Sequence, residues 1–418
     1  MIKELKRLVV TGTGTITSSG NSVEEFRKNC IACKNDVAPV NEFDTTNFKT
    51  KFASEVKDFA ATNYFERNDA RKYNLFTQYA VAATAEFVKN AGIDFKKLNK
   101  KRIGGIRESG RGGQPAWQNQ LEEIFKGNKI PSFNPYFVPK IIADIPFGAM
   151  SIRYGLRGLN FSTISACASS NHAIMDTSNY NRPGKANVIN TGGIEATINE
   201  GSIGGFVTAK ALSAHNDNPA IAARPLDLKR DGFVMGEGAA TLMVESLDAA
   251  SKRSATILCE IIGTAMAGDA YLLTGTNHDG ERAYRGMLDA LGGVEIDASQ
   301  IVYVNAHATL TPLGDESELK AIARVFGEQK NTNISGTKSM TAHLPGAAMV
   351  IEAILTVKVM EENRVPPTID SGEVEADWKD KFNLTLATAN HREINFAVSN
   401  VFGFGGPVAT TIFKKYTA

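Results

Sequence analysis

The chain has 418 residues, of which 43% are hydrophobic and 22% charged, with a formal net charge of +1. That length exceeds one small core and predicts two or three domains, or two fused halves. The near-zero charge supplies no global field for nucleic acid or an acidic membrane.

No apolar run approaches the ~20 residues that span a bilayer, and four cysteines are too few for a disulfide framework. A reducing, cytoplasmic setting is therefore expected. The opening stretch, Met1-Ile2-Lys3-Glu4-Leu5-Lys6-Arg7, has charges with no apolar core behind them, so no secretory leader is expected. Leu8-Val9-Val10 reads as a buried strand ending at the glycine turn Gly12-Thr13-Gly14. A dinucleotide-binding reading of that turn lacks the third glycine and the acidic residue that should follow. Ser22 with Glu25 is a capping-box signature for the next helix. Cys30 and Cys33 have redox or zinc spacing, but with no second pair and no nearby histidine they read as unrelated thiols.

Arg67, Arg71 and Lys72 form a basic cluster at helical spacing, and residues 76–87 read as an alanine-rich amphipathic helix. Arg102-Ile103-Gly104-Gly105-Ile106 predicts a strand, and Ser109-Gly110-Arg111-Gly112-Gly113 a flexible loop. Residues 131–139, with three prolines, read as a rigid connector. Thr163-Ile164-Ser165 opens as a β-branched strand, breaks at Ala166-Cys167-Ala168, and passes into a helix from Asn171. A cysteine at a strand-to-helix turn meets free N–H groups and the positive end of a helix dipole, both of which favour the nucleophilic thiolate. The alternative at this point is a buried cysteine used as apolar filler.

Residues 186–193 and 240–245 predict further buried strands, and the pattern restarts near residue 250 with the strand-like 256–263. A helix over 280–291 and strands over 301–305, 395–399 and 409–413 follow. Apolar strands alternating with helices predict an α/β architecture of mainly parallel strands in two halves, 1–250 and 251–418. Two of the six histidines sit at element ends in the second half, His307 in Asn305-Ala306-His307-Ala308-Thr309 and His343 in Thr341-Ala342-His343-Leu344-Pro345. Neither turn carries a ligand pair at metal spacing, so a composite site with the thiol suits them better than a metal site.

Cys167, His307 and His343 in these contexts resemble the Cys-His-His set of the β-ketoacyl-acyl carrier protein synthases, in particular the elongating type II enzymes. The resemblance extends through Phe43-Asp44-Thr45-Thr46, Tyr154-Gly155-Leu156-Arg157-Gly158, Ala211-Leu212-Ser213 and Arg230-Asp231-Gly232-Phe233-Val234. It continues through Thr311-Pro312-Leu313-Gly314-Asp315, Thr337-Lys338-Ser339-Met340 and Gly403-Phe404-Gly405-Gly406. It implies a thiolase-like fold of five αβαβα layers, a homodimer and an acyl carrier protein as partner. No metal and no cofactor are implied beyond the phosphopantetheine that arrives on the carrier.

By the same resemblance, Cys167 accepts the acyl chain, and decarboxylation of malonyl-carrier protein yields a carbanion that attacks it. His307 and His343 stabilise the charge on the thioester oxygen. Lys338 positions them, with Glu318 and Glu352 behind it. Phe402 supplies a backbone donor with Cys167 and gates the chain, while Thr309 and Thr311 hold the pantetheine. Arg71, Lys72 and Lys210 fall at the carrier-protein patch, where Asn68 replaces a usual base.

Departures from the family pattern are Ala308, Leu310, Ala342, Ser170 and Val401 around the site. The implied acyl pocket contains Arg111, Asp144, Phe147, Asn199, Glu200, Phe206 and Phe402, and Asp144 with Pro146 and Phe147 alters the segment expected at the dimer interface. A charge in an alkyl tunnel is costly, so Arg111 is expected to pair with Glu200 or Asp144, and a shorter or more polar pocket follows. Two competing readings are a non-catalytic chain-length partner and a degradative thiolase. The first usually lacks the cysteine present here, and the second uses another cysteine near the C-terminus that is absent here.

Overall fold

The computed structural model describes residues 4–127, 133–328 and 330–417. Met1, Ile2 and Lys3 of the opening stretch, and Pro131 and Ser132 of the proline segment, lie outside the described residues. The first strand, β1 (Leu8–Thr17), is buried along its whole length and does not stop at Gly12. Helix α1 (Val23–Ile31) is capped by the Ser22 side chain, but Glu25 reaches the Asn21 N–H rather than completing the box. Helix α2 (Leu75–Asn90) lies directly on β1. A Cβ on Gly14 would stand 1.9 Å from the Ala83 carbonyl oxygen, so this glycine serves helix–strand contact rather than a turn.

The first half continues with β2 (Ile103–Ser109), β3 (Asn160–Phe161), α3 (Ser169–Asn181), β4 (Val188–Glu195) and β5 (Gly238–Ser246). The second half holds β6 (Cys259–Gly268), α4 (Glu281–Gly292), β7 (Tyr303–Asn305), α5 (Pro312–Phe326) and β8 (Asn333–Ser335). It closes with α6 (Ala348–Glu362), β9 (Asn383–Leu384), β10 (Phe396–Phe402) and β11 (Pro407–Lys415).

These eleven strands form one sheet in the order β9-β8-β7-β10-β11-β6-β1-β5-β4-β2-β3. The order β3-β2-β4-β5-β1 recurs as β8-β7-β10-β11-β6, with the same alternation of parallel and antiparallel pairs. An antiparallel seam between β1 and β6 joins the two sets. Half of the pairings are therefore antiparallel, and the expected mainly parallel sheet is corrected.

Helix α3 packs on β2 and β4 of its own half and also on β6 and β11; α6 packs on β10 and β11 and also on β4 and β5. The two are thus sandwiched between the halves, while α2 and α4 cover the outer faces, which gives the five layers. Apolar residues surround α6 almost completely, as a helix in a middle layer requires. The proline segment is helical from Phe137 to Ile141, with Pro139 in the first turn, where a missing N–H is tolerated. Among the described residues no helix is long and apolar enough to cross a membrane.

Candidate active site

Thr163-Ile164-Ser165 is not a strand; the segment winds through tight turns into α3. Ser169 Oγ accepts from the Ser165 N–H at 2.8 Å and donates to the Ala166 carbonyl at 2.6 Å, so side chains take the backbone groups a ladder would need. Ala166 holds φ at +50° within this turn. Cys167 emerges just before the helix, and its Sγ lies 3.2 Å from His343 Nε2. The His307 and His343 ring centroids are 5.6 Å apart.

Each histidine is fixed by its backbone. The His343 N–H donates to Val234 O, and His343 O accepts from the Gly236 N–H, both at 2.8 Å. The His307 and Ala308 N–H groups donate to the two oxygens of Glu318 at 2.8 and 2.9 Å. Lys338 donates to the His307 carbonyl and to Glu352, and both partners of this ion pair are fully buried. Phe402 ends β10 with its ring 5.2 Å from that of His307. Gly403 follows, and a Cβ there would stand 3.0 Å from Ser165 O and 3.2 Å from Cys167 N, so the loop presses on the nucleophile turn.

Burial pushes the Cys167 thiol up to about 12, the Glu195 carboxylate adds to this, and Lys338 and Arg111 oppose it. The helix end expected to favour a thiolate is outweighed by desolvation, and the resting side chain is a thiol. Burial, with Lys338 second, holds both imidazoles well below their usual range, so they are neutral. A neutral ring presents one acceptor and one donor nitrogen. Burial also raises Glu318 and Glu352 to about 7, against the backbone donors on Glu318 and the ammonium on Glu352. A thiol beside a neutral imidazole in a partly enclosed cavity is an arrangement for acyl transfer.

A cavity of about 350 Å³ opens onto Cys167, His307 and His343, and Thr309, Thr311, Phe206, Phe402 and Lys210 line it as well. Lys210 is exposed at this cavity, whereas Arg71 and Lys72 do not line it, and Lys72 pairs with Asp69 at 2.6 Å. Arg111 lies behind the wall, its guanidinium 4.8 Å from the Phe206 ring centroid. Its partners are Glu195, at 3.3 Å, and Thr197, which corrects the expected pairing with Glu200 or Asp144.

Glu200 instead accepts from Gln118 at 2.7 Å, and Asn199 caps the helix Glu200–Thr208. Asp144 precedes the helix Ile145–Tyr154, its carbonyl accepting from the Gly148 N–H at 3.2 Å. Phe147 is buried beneath β2, where a Cβ on Gly105 would strike its ring, and Pro146 is buried beside it. Asp144, Phe147, Asn199 and Glu200 are not brought to the cavity. Sequence reasoning missed Glu195, the partner of Arg111, signalled only as a carboxylate closing an apolar strand, and Arg282, which lines the cavity and for which no signal exists.

Residues 5–250 match the family description "Beta-ketoacyl synthase, N-terminal domain", and residues 258–371 match its C-terminal domain. A 3-oxoacyl-(acyl-carrier-protein) synthase 2 from Vibrio harveyi is 39% identical over 415 residues, covering 98% of this chain and 99% of the relative. A beta-ketoacyl synthase structure from Burkholderia phymatum superposes with a TM-score of 0.90 at 31% identity, over 99% of this chain and 100% of the other. A type II polyketide ketosynthase, bound to a hexaketide and in complex with its acyl-carrier protein, gives 0.90 at 26% identity over 99% and 100%. With both domains matched in order and the relatives aligned end to end, the chain belongs to the beta-ketoacyl synthase family.

Proposed function

We propose that this chain is a 3-oxoacyl-(acyl-carrier-protein) synthase in which Cys167, His307 and His343 carry out the condensation. The observation that carries this reading is the 3.2 Å approach of His343 Nε2 to Cys167 Sγ, with His307 on the same cavity. Cys167 sulfur attacks the carbonyl of a carrier-bound acyl thioester, and the pantetheine thiolate leaves with the thiol proton. Malonyl-carrier protein then loses carbon dioxide, leaving its electron pair as an enolate whose oxygen the two imidazoles stabilise. The enolate carbon attacks the acyl-cysteine and releases Cys167 sulfur, giving a 3-oxoacyl chain two carbons longer.

In this reading the Cys167 and Phe402 N–H groups receive the tetrahedral oxyanions, and Thr309 with Thr311 holds the pantetheine arm. Lys338, Glu318 and Glu352 position the histidines. Lys210, Arg71 and Lys72 steer an acidic carrier protein. The reading also takes the protein as a cytoplasmic homodimer. Its halves are 1–250 and 251–418, supported by the repeated strand order and by family matches that end at 250 and resume at 258. Replacing Cys167 with Ala is expected to abolish both the mass shift of acyl loading and malonyl-dependent elongation. Acyl loading that survives in this variant sinks the assignment.

A finer reading concerns the chain. Arg111, paired with Glu195, stands behind the Phe206 wall, so a chain long enough to push past that ring meets a charged pair. Short, polar or unsaturated (polyene or aryl) chains suit such a wall better than long saturated ones. Acyl-enzyme formation across chain lengths is expected to decline steeply with saturated length; efficient loading of long saturated chains removes this reading.

A further inference from the structure

Arg282, the second residue of α4, is 3% exposed. Its Nη2 donates to Thr276 Oγ1 at 2.7 Å, Nη1 stands 3.4 Å from Asp269, and the guanidinium carbon lies 5.3 Å from the Phe402 ring centroid. Nε is buried and has no hydrogen-bond partner among the described residues. Arg282 also lines the cavity that holds Cys167, His307 and His343. A buried donor left unsatisfied is costly, and at a cavity wall a ligand oxygen is the group that would satisfy it. The Asp269 oxygen that faces the cation also accepts from the Asn277 N–H at 3.2 Å, so it is shared between two donors.

The two half-reactions bring different charges to this wall. An acyl thioester is neutral, whereas a malonyl thioester carries a carboxylate two bonds from its thioester carbon. The Phe402 ring touches both groups, its centroid 5.2 Å from that of the His307 imidazole and 5.3 Å from the Arg282 guanidinium carbon. His307 and Arg282 line the same cavity, so a malonyl thioester with its oxygen at His307 brings its carboxylate into a space of which Arg282 forms part of the wall. The other nearby cations are committed elsewhere. Lys338 is held by Glu352 and His307 O, Arg111 by Glu195 and Thr197, and Lys210 is exposed to water.

We propose that Arg282 is the specificity-determining residue for the extender unit, its Nε–H receiving the carboxylate of the malonyl thioester before carbon dioxide leaves. The assignment rests on the condensing reading above. One N–H from a cation shared with Asp269 orients the anion without holding it against decarboxylation, as differential binding requires.

The test uses the full-length enzyme pre-acylated at Cys167. Arg282→Gln is expected to raise the KM for malonyl-carrier protein tenfold or more while acyl loading of Cys167 changes less than twofold. Arg282→Lys is expected to recover part of the loss. Inhibition by malonyl pantetheine against its neutral malonamide analogue gives a second readout: the parent prefers the anion and Arg282→Gln does not. An unchanged malonyl KM, or loading and condensation falling together in both variants, overturns the proposal. Failure of the parent to form acyl-Cys167 at all is a distinct result, which overturns the condensing reading and this assignment with it.

Discussion

Ala166, Ala308, Leu310 and Ala342 hold φ at +50°, +36°, +67° and +55°. Positive φ costs an L-residue about 1–3 kcal/mol, and Ala342, with ψ at −172°, sits in the part of that space that glycine almost alone adopts; each of the four lies within three residues of Cys167, His307 or His343. The strain is sustained by the surroundings: Glu318 grips the His307–Ala308 backbone, and the Val234 and Gly236 backbone grips His343. Ala308 and Ala342 stand where the family resemblance calls for glycine. Glycine relieves the strain but gains freedom in the unfolded chain, which returns about 0.5–1 kcal/mol. Ala308→Gly is therefore expected to stabilise the protein by about 0.5–1 kcal/mol, and Ala342→Gly by about 0.5–2 kcal/mol. Leu310→Gly is expected to destabilise it, because a fully buried side chain is lost. Urea midpoints check this series, and an Ala→Gly midpoint at or below the parent's shows that packing rather than φ decides these positions.

Elements differ in how far their sequence betrays them. Cys167 stood out as a thiol at a predicted turn, and His307 and His343 as histidines at element ends, and the three meet on one cavity; Phe402, Thr309 and Thr311, which line it too, were reached only through the family resemblance. The turn that presents Cys167 was not legible: Thr163 and Ile164 carry strand propensity, and only the serine side chains divert the backbone. Gly12 and Gly14 read as a turn because a glycine that permits a tight bend and one that permits a helix to touch a strand look alike in sequence. Strand direction was lost for a related reason. The antiparallel strands β1 and β5 are buried along their whole length, so neither carries the solvent-facing polar stripe by which an antiparallel strand is usually told. Partners across the sheet were invisible as well. Arg111 finds Glu195 because β2 and β4 end side by side, not because of any spacing along the chain.

Across the whole molecule, the acids that help assemble the site also set its response to pH. Glu318 clamps the His307 turn from the second half, and Glu108 is fully buried in the first, near the Glu195 carboxylate. Burial raises Glu318 and Glu237 to about 7 and holds Glu108 well above its usual range. A group raised on folding contributes stability that is full below its unfolded value, here 4.5, and is lost as pH rises through the folded value. His307 and His343 act in the opposite sense: their folded values are depressed, so their contribution is lost as pH falls below 6.5. Above pH 6.5 the two histidines fade from the balance and the raised carboxyls remain. Stability is therefore expected to fall between pH 6.5 and 8 by about 1–3 kcal/mol, read as a declining urea midpoint at one fixed protein concentration. Glu108→Gln, which keeps the shape and removes the titration, is expected to flatten that decline. A midpoint that rises over the same window places the dominant titrating groups elsewhere than on these buried acids.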